Sequence, residues 1–223
     1  MPRNDYQRQL ESLRGDVLDM SDLVVERLDT ALEALDTGDE HLAERVVAGD
    51  DEINRLYLDL EADCVDLLAL QQPVASDLRF IAASFKIITD LERIADLATN
   101  LAEYTDAVDR DQMARSELRE IGEATTEMVE TAMDAYARND AEATYGVAER
   151  DDAVDDYCEQ ASERIVRDLL ESERPVDGPV ESMLDEVSTQ LLTIRDLERV
   201  GDHAVNIAAR TLYMVENDDE LIY

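Results

Sequence analysis

The sequence predicts an all-α protein built as two tandem three-helix bundles related by internal duplication. Three observations predict it. The segment DLERIADLATNLA from Asp90 returns as DLERVGDHAVNIA from Asp196, an ungapped offset of 106 residues, and such a repeat governs the architecture. Apolar residues recur at helical spacing along most of the chain. The composition is rich in Ala, Leu, Glu, Asp and Arg, with only 7 Gly and 4 Pro, a mixture that suits long helices.

The first helix is expected from about Asp5 to Thr37, through Leu10, Leu13, Val17, Met20, Val24, Leu28, Ala31, Leu32 and Leu35. Gly38 supplies a stop and Asp39 an acidic start for the next. The second helix is expected to run unbroken from about Asp39 to Leu70 and to end at Pro73. The third runs from about Ser76, a good N-cap, to Val108. The other half repeats this plan: Gly38-Asp39 matches Asn139-Asp140 and Ile53 matches Val154 at an offset of 101. The change from 101 to 106 places a five-residue insertion near residues 173–178. Helices four to six are then expected over about Ser116–Asn139, Asp140–Glu173 and Val180–Glu216, and the tail after Asn217 is expected to fray. The two units span 5–108 and 112–216. Short turns between antiparallel helices make a bundle, and two similar bundles should pack about a pseudo-twofold axis. Met20, Met128 and Met133 read as core, Tyr57 and Tyr157 as helix-packing residues, and His41 as exposed.

Charge excludes several functions. Fifty-six acids face twenty bases, a formal net charge of −36. Such self-repulsion is relieved by concentrated salt, so a salt-filled cytoplasm is the expected setting, a halophilic trait; the alternative is an acidic surface built for a basic partner or for many cations. No basic face exists to neutralise phosphates, so nucleic-acid binding is not expected. Apolar runs are too short to span a membrane and no signal peptide precedes Asp5, so a cytoplasmic location is expected. Cys64 and Cys158 lack metal or CxxC spacing and read as reduced structural thiols. Two histidines and no Gly-rich loop give neither a nucleophile set nor a phosphate cradle, and the chain is not expected to be an enzyme.

The chemistry lies in repeated carboxylates. On the third helix Phe80, Ile87, Leu91, Ile94, Ala98 and Ala102 form an apolar stripe. The arc beside it starts with Leu78, Ile81 and Phe85 and continues as Glu92, Asp96 and Glu103, with Asn100 at its edge. The sixth helix repeats the switch from Leu184, Val187 and Leu191 to Glu198, Asp202 and Asn206. Asp151 and Asp155 repeat the spacing on the fifth helix, while Asp50 and Asn54 hold the equivalent places on the second. With 56 acids in 223 residues, a lone acid pair carries no signal; the repeated LERxxDxxxN context does. Like charges one turn apart repel, so something positive is required between them. Arg93 and Arg199, arginines of neighbouring helices, or bound cations would serve. Oxygen-only ligands suit hard metals such as Mg²⁺, Ca²⁺ or Mn²⁺, and iron is compatible. The metal candidates are Glu92, Asp96, Glu198, Asp202, Asp151, Asp155 and Asp50. His203 has no counterpart in the first copy and reads as solvated or hydrogen-bonded. From the residues alone, a cation-binding adaptor, a metal-cluster hydrolase or oxidase, and a purely structural helical dimer all remain open.

Residues 72–79 (QPVASDLR), Leu91-Glu92-Arg93-Ile94-Ala95-Asp96 and Leu197-Glu198-Arg199-Val200-Gly201-Asp202-His203 carry a resemblance. Together with residues 45–51, and in the same order, they resemble the PhoU family of phosphate-uptake regulators over about residues 5–215. The resemblance implies a cytoplasmic, non-enzymatic regulator that restrains phosphate uptake through a phosphate ABC transporter and, in bacteria, a sensor kinase. It also implies multinuclear metal clusters on the paired carboxylates, in this chain those of the seven residues named above; Zn, Mg, Mn, Ca or iron would fit. Ala95 stands where the first motif expects Gly, and Asn54 stands opposite Asp155, so the two sites are expected to bind metal unequally. A homodimer is expected.

Overall fold

A computed structural model describes residues 3–71, 73–105, 112–171 and 180–222 of the chain. Seven helical segments stand among the described residues: α1 (Arg3–Thr37), α2 (Glu40–Ala48), α3 (Asp50–Gln71), α4 (Ala75–Glu103), α5 (Gln112–Arg138), α6 (Ala141–Glu171) and α7 (Val180–Glu216). The fold is all-α. The first bundle is α1, the successive segments α2 and α3, and α4; the second is α5, α6 and α7. The central rods α4 and α7 pack against each other, and α1 packs on α5.

The turns follow from local chemistry. Gly38 (φ 68) and Asn139 (φ 53) both take the left-handed conformation at equivalent repeat positions, which Gly and Asn tolerate best. Asp39 then caps α2 by accepting from the backbone N–H groups of His41 (2.9 Å) and Leu42 (3.3 Å). Asp140 accepts from Ala143 N–H at 3.2 Å.

Three expectations on the second and third helices are corrected. The expected continuous second helix breaks at Gly49, whose N–H turns back to the Val46 carbonyl at 3.1 Å. The Arg27 guanidinium fills the space a side chain would need there: a Cβ on Gly49 would lie 1.7 Å from Arg27 Nη1. Arg27 donates to the Val46 carbonyl at 3.4 Å and to Glu52 at 2.7 Å. Nor does Ser76 cap the third helix; Val74 holds that position without a side-chain bond, and Ser76 reaches Asp77 instead. The third helix ends at Glu103, short of the expected Val108, where the Tyr104 N–H turns back to the Asn100 and Leu101 carbonyls, both at 3.2 Å. The insertion expected near 173–178 lies outside the described residues.

The core follows the predicted stripes. Phe80, Ile87, Leu91, Ile94, Ala98 and Ala102 are buried, as are Met20, Met128 and Met133. Leu78 and Leu184, expected beside the stripe, are instead exposed (46% and 49%). Tyr157 is exposed too and donates to Glu120 at 2.9 Å. A node ties the bundles at one end: Arg14 of α1 donates to the Tyr136 carbonyl at 2.5 Å and to Asn139 Oδ1 at 3.0 Å. Its guanidinium lies over the Phe80 and Tyr136 rings, 4.7 and 5.1 Å from their centroids, and the Tyr136 and Ser84 hydroxyls share a 2.7 Å hydrogen bond.

The segment after α7 does not fray. Leu221 is buried and packs, with Ile222, on Ala141, Tyr145, Ala148, Ala209 and Leu212. Tyr145 OH donates to Glu220 at 3.4 Å.

Two helical glycines give opposite expectations. At Gly122, where α5 meets α1, an added methyl would stand 2.4 Å from Leu32 Cδ2. Overpacking of ~1–3 kcal/mol outweighs a helix-propensity gain of ~1 kcal/mol, so Gly122→Ala should lower stability by about 1 kcal/mol. Gly146 has nothing within 4 Å, so Gly146→Ala should raise it by ~0.5–1 kcal/mol. Urea denaturation of both variants checks the sign of each.

Candidate carboxylate site

In the first bundle the acids meet a base. Arg93 lies 3.5 Å from Glu92 Oε2 and 3.3 Å from Asp96 Oδ2, and Asn54 donates to Asp50 Oδ2 at 2.7 Å. Burial raises the Glu92 carboxyl above the usual carboxylate range; Asp96 and Asp50 add to this, while Arg93 and His203 oppose it.

The second bundle differs. Arg199 turns away from Glu198 and Asp202 to Asp196, 3.6 Å off. Burial pushes Asp151 up to about 6, and Asp155, Asp202, Asp152 and Glu198 push it the same way. Asp155 and Glu198 are raised too, first by burial and then by neighbouring carboxylates. One oxygen of Asp151, Oδ1, is buried with no hydrogen-bond partner, and an unpaired buried charge is costly. Gly201 gives it room, since a Cβ there would sit 3.1 Å from that oxygen. Cys158 faces the same acids, and burial followed by Glu198, Asp155 and Asp151 pushes its thiol up to about 12. Asp152 belongs to this field, although sequence reasoning did not single it out.

The sequence-predicted residues therefore fall into two unlike groups: Asp50, Glu92 and Asp96 with Arg93, and Asp151, Asp155, Glu198 and Asp202 with no base paired to them among the described residues. Among the described residues, no three His, Cys, Asp or Glu side chains are gathered into a ready metal shell. The second group offers oxygen donors, negative charge and an orphaned oxygen, the donor chemistry of a hard cation, with Asp155 and Asp202 exposed and no shell gathered. In the first, Arg93 already supplies the positive charge.

Between the bundles runs a seam of hydrogen bonds that obeys the repeat. Asn100 of α4 donates to Asp196 Oδ2 of α7, and Asn206 of α7 donates to Asp90 Oδ1 of α4, both at 3.4 Å. Asp196 is fully buried and also receives Tyr104 OH (3.1 Å) and Arg195 Nη2 (2.8 Å). His203 is the hydrogen-bonded residue expected: its Nδ1 lies 2.9 Å from Asp90 Oδ1. Asp90 and Asp196 were missed by sequence reasoning, although each opens its copy of the repeat. Asn100 and Asn206 serve this seam, not the acid faces.

The molecule these features define is a duplicated helical bundle protein with unequal carboxylate faces flanking a pseudo-twofold seam. Among the described residues no helix is long and apolar enough to cross a membrane. The chain belongs to the PhoU family: the PhoU domain matches residues 17–105 and again 118–211. It is 36% identical over 217 residues to a phosphate-specific transport system accessory protein PhoU homolog of Pseudomonas aeruginosa, covering 96% of this chain and 86% of the relative. It is 31% identical over 219 residues to the PhoU accessory protein of Escherichia coli, with coverages of 96% and 86%. The crystal structure of PhoU from Pseudomonas aeruginosa superposes with a TM-score of 0.87 at 34% identity, covering 96% of this chain and all of that one (100%). That of the phosphate transport system regulatory protein PhoU from Streptococcus pneumoniae gives 0.86 at 27% identity, with coverages of 96% and 98%. These relatives are named as accessory or regulatory proteins, not enzymes.

Proposed function

We propose that this protein is a phosphate-responsive regulatory adaptor that restrains phosphate uptake through a phosphate ABC transporter. One observation carries the reading: the family domain occurs twice over nearly the whole chain, and relatives of matched length are accessory proteins of phosphate-specific transport systems. Its work is recognition, not turnover. In cells lacking the chain, uptake of radiolabelled phosphate from phosphate-rich medium should rise and fall again on re-expression; unchanged uptake rejects the reading.

We further propose a hard divalent or trivalent cation on Asp151, Asp155, Glu198 and Asp202, with the first bundle binding more weakly. When bound, the cation supplies the positive charge that Arg93 supplies in the other half. The formal net charge of −36 fits a concentrated-salt setting. Calorimetric titration of metal-free protein with Mg²⁺, Mn²⁺, Ca²⁺ or Fe³⁺ should give heat that Glu198→Gln/Asp202→Asn removes and Glu92→Gln/Asp96→Asn largely keeps. No heat, or equal loss in both variants, counts against it.

A further inference from the structure

A cavity of about 340 Å³ opens between α2 and the end of α4, lined by Glu40, Ala43, Glu44, Val47, Ala102, Glu103 and their neighbours Ala48 and Thr105. The repeat gives this notch a counterpart. At the offsets of 101 and 106, Glu40, Glu44, Val47 and Glu103 correspond to Ala141, Tyr145, Ala148 and Ala209. Those four residues form the floor on which Leu221 and Ile222 pack. The second bundle thus shows what this groove accepts: a short segment that turns at Glu220 and Leu221, with the Ile222 N–H bonded to the Asp219 carbonyl, and sets two branched apolar residues on the floor. Among the described residues, the same groove in the first bundle is open.

We infer that the α2–α4 notch is a docking groove for a short partner-protein segment that carries two apolar side chains beside basic residues. Its floor of Ala43, Val47, Ala48 and Ala102 suits the apolar pair, and Val47 is 39% exposed. Its rim sets the charge. Three carboxylates, Glu40, Glu44 and Glu103, replace two alanines and a tyrosine. Tyr145, the counterpart of Glu44, donates to Glu220 of the packed segment; a carboxylate there repels such a group. Glu44 has His41 3.7 Å away. A second copy's residues 217–222 would bring Asp218, Asp219 and Glu220 against these glutamates, so like charge disfavours self-association here. Basic flanks complement the rim. The inference rests on the adaptor reading for its purpose, though not for its geometry.

Fluorescence polarisation on the full chain tests it with two labelled peptides. One has the sequence of residues 217–222; the other carries Asp218→Lys, Asp219→Lys and Glu220→Lys. The basic peptide should bind the wild type, at least tenfold more weakly after Val47→Asp. Glu40→Ala/Glu44→Tyr/Glu103→Ala, all at exposed positions, should reverse the preference and admit the acidic peptide. The proposal is overturned if the basic peptide does not bind, if the triple variant leaves its affinity unchanged, or if the acidic peptide binds the wild type as well. Phosphate-uptake assays judge the adaptor reading separately, so a failure of either leaves the other standing.

Discussion

At pH 7 and low salt, Asp151→Asn is expected to raise the unfolding free energy by about 1–2 kcal/mol, a value reduced for solvent screening. Burial, then Asp155, Asp202, Asp152 and Glu198, raise this carboxyl from 3.8 to about 6 in the folded chain. A group whose folded pKa lies above its unfolded value favours folding while both states are protonated. That contribution is complete below 3.8 and is lost as pH rises through about 6. The wild type should therefore lose stability between pH 5 and pH 7, and Asp151→Asn should show a flatter profile. Urea midpoints at half-unit pH intervals measure both. A variant no more stable than the wild type, with the same pH profile, would mean that the oxygen is already compensated. Added divalent cation should recover the difference in the wild type but not in the variant.

Asp196→Ala should have the opposite sign and a larger size, a loss of about 2–4 kcal/mol. The carboxylate is fully buried and serves Arg195, Tyr104 and Asn100 at once. Its removal strands the Tyr104 hydroxyl and the Asn100 amide at the seam, while Arg195, half exposed, can turn to water. Asp90→Ala at the equivalent place should cost less, about 1 kcal/mol, because its partners His203 and Asn206 are nearer solvent. A double-mutant cycle of Asp196→Ala with Asn100→Ala should show coupling; strict additivity would mean the two do not interact. Thermal and urea unfolding of the variants supply the values.

The helical architecture was legible because period and repeat act through backbone geometry. The stripe from Phe80 to Ala102 and the turns at Gly38 and Asn139 needed no tertiary knowledge. The break at Gly49 did need it, because Arg27, 22 positions away, fills the space beside that glycine. The packing of Leu221 also depended on a distant surface, the floor supplied by α6 and α7. At the carboxylate site, the repeat singled out Asp151, Asp155, Glu198 and Asp202, which lie close enough together to raise the Asp151 carboxyl. It could not say which way Arg93 and Arg199 turn, since both follow Glu in identical local sequence. Asp196 decides that for Arg199 by offering a buried acceptor, and its counterpart Asp90 is occupied by His203.

On α4, Asp90 and Glu92 are two residues apart, roughly 3 Å along the axis, and α7 carries Asp196 and Glu198 likewise. A helix moves as a stiff body over so short a span. A ligand that shifted either glutamate along the axis would therefore be expected to shift the fastening between the halves with it.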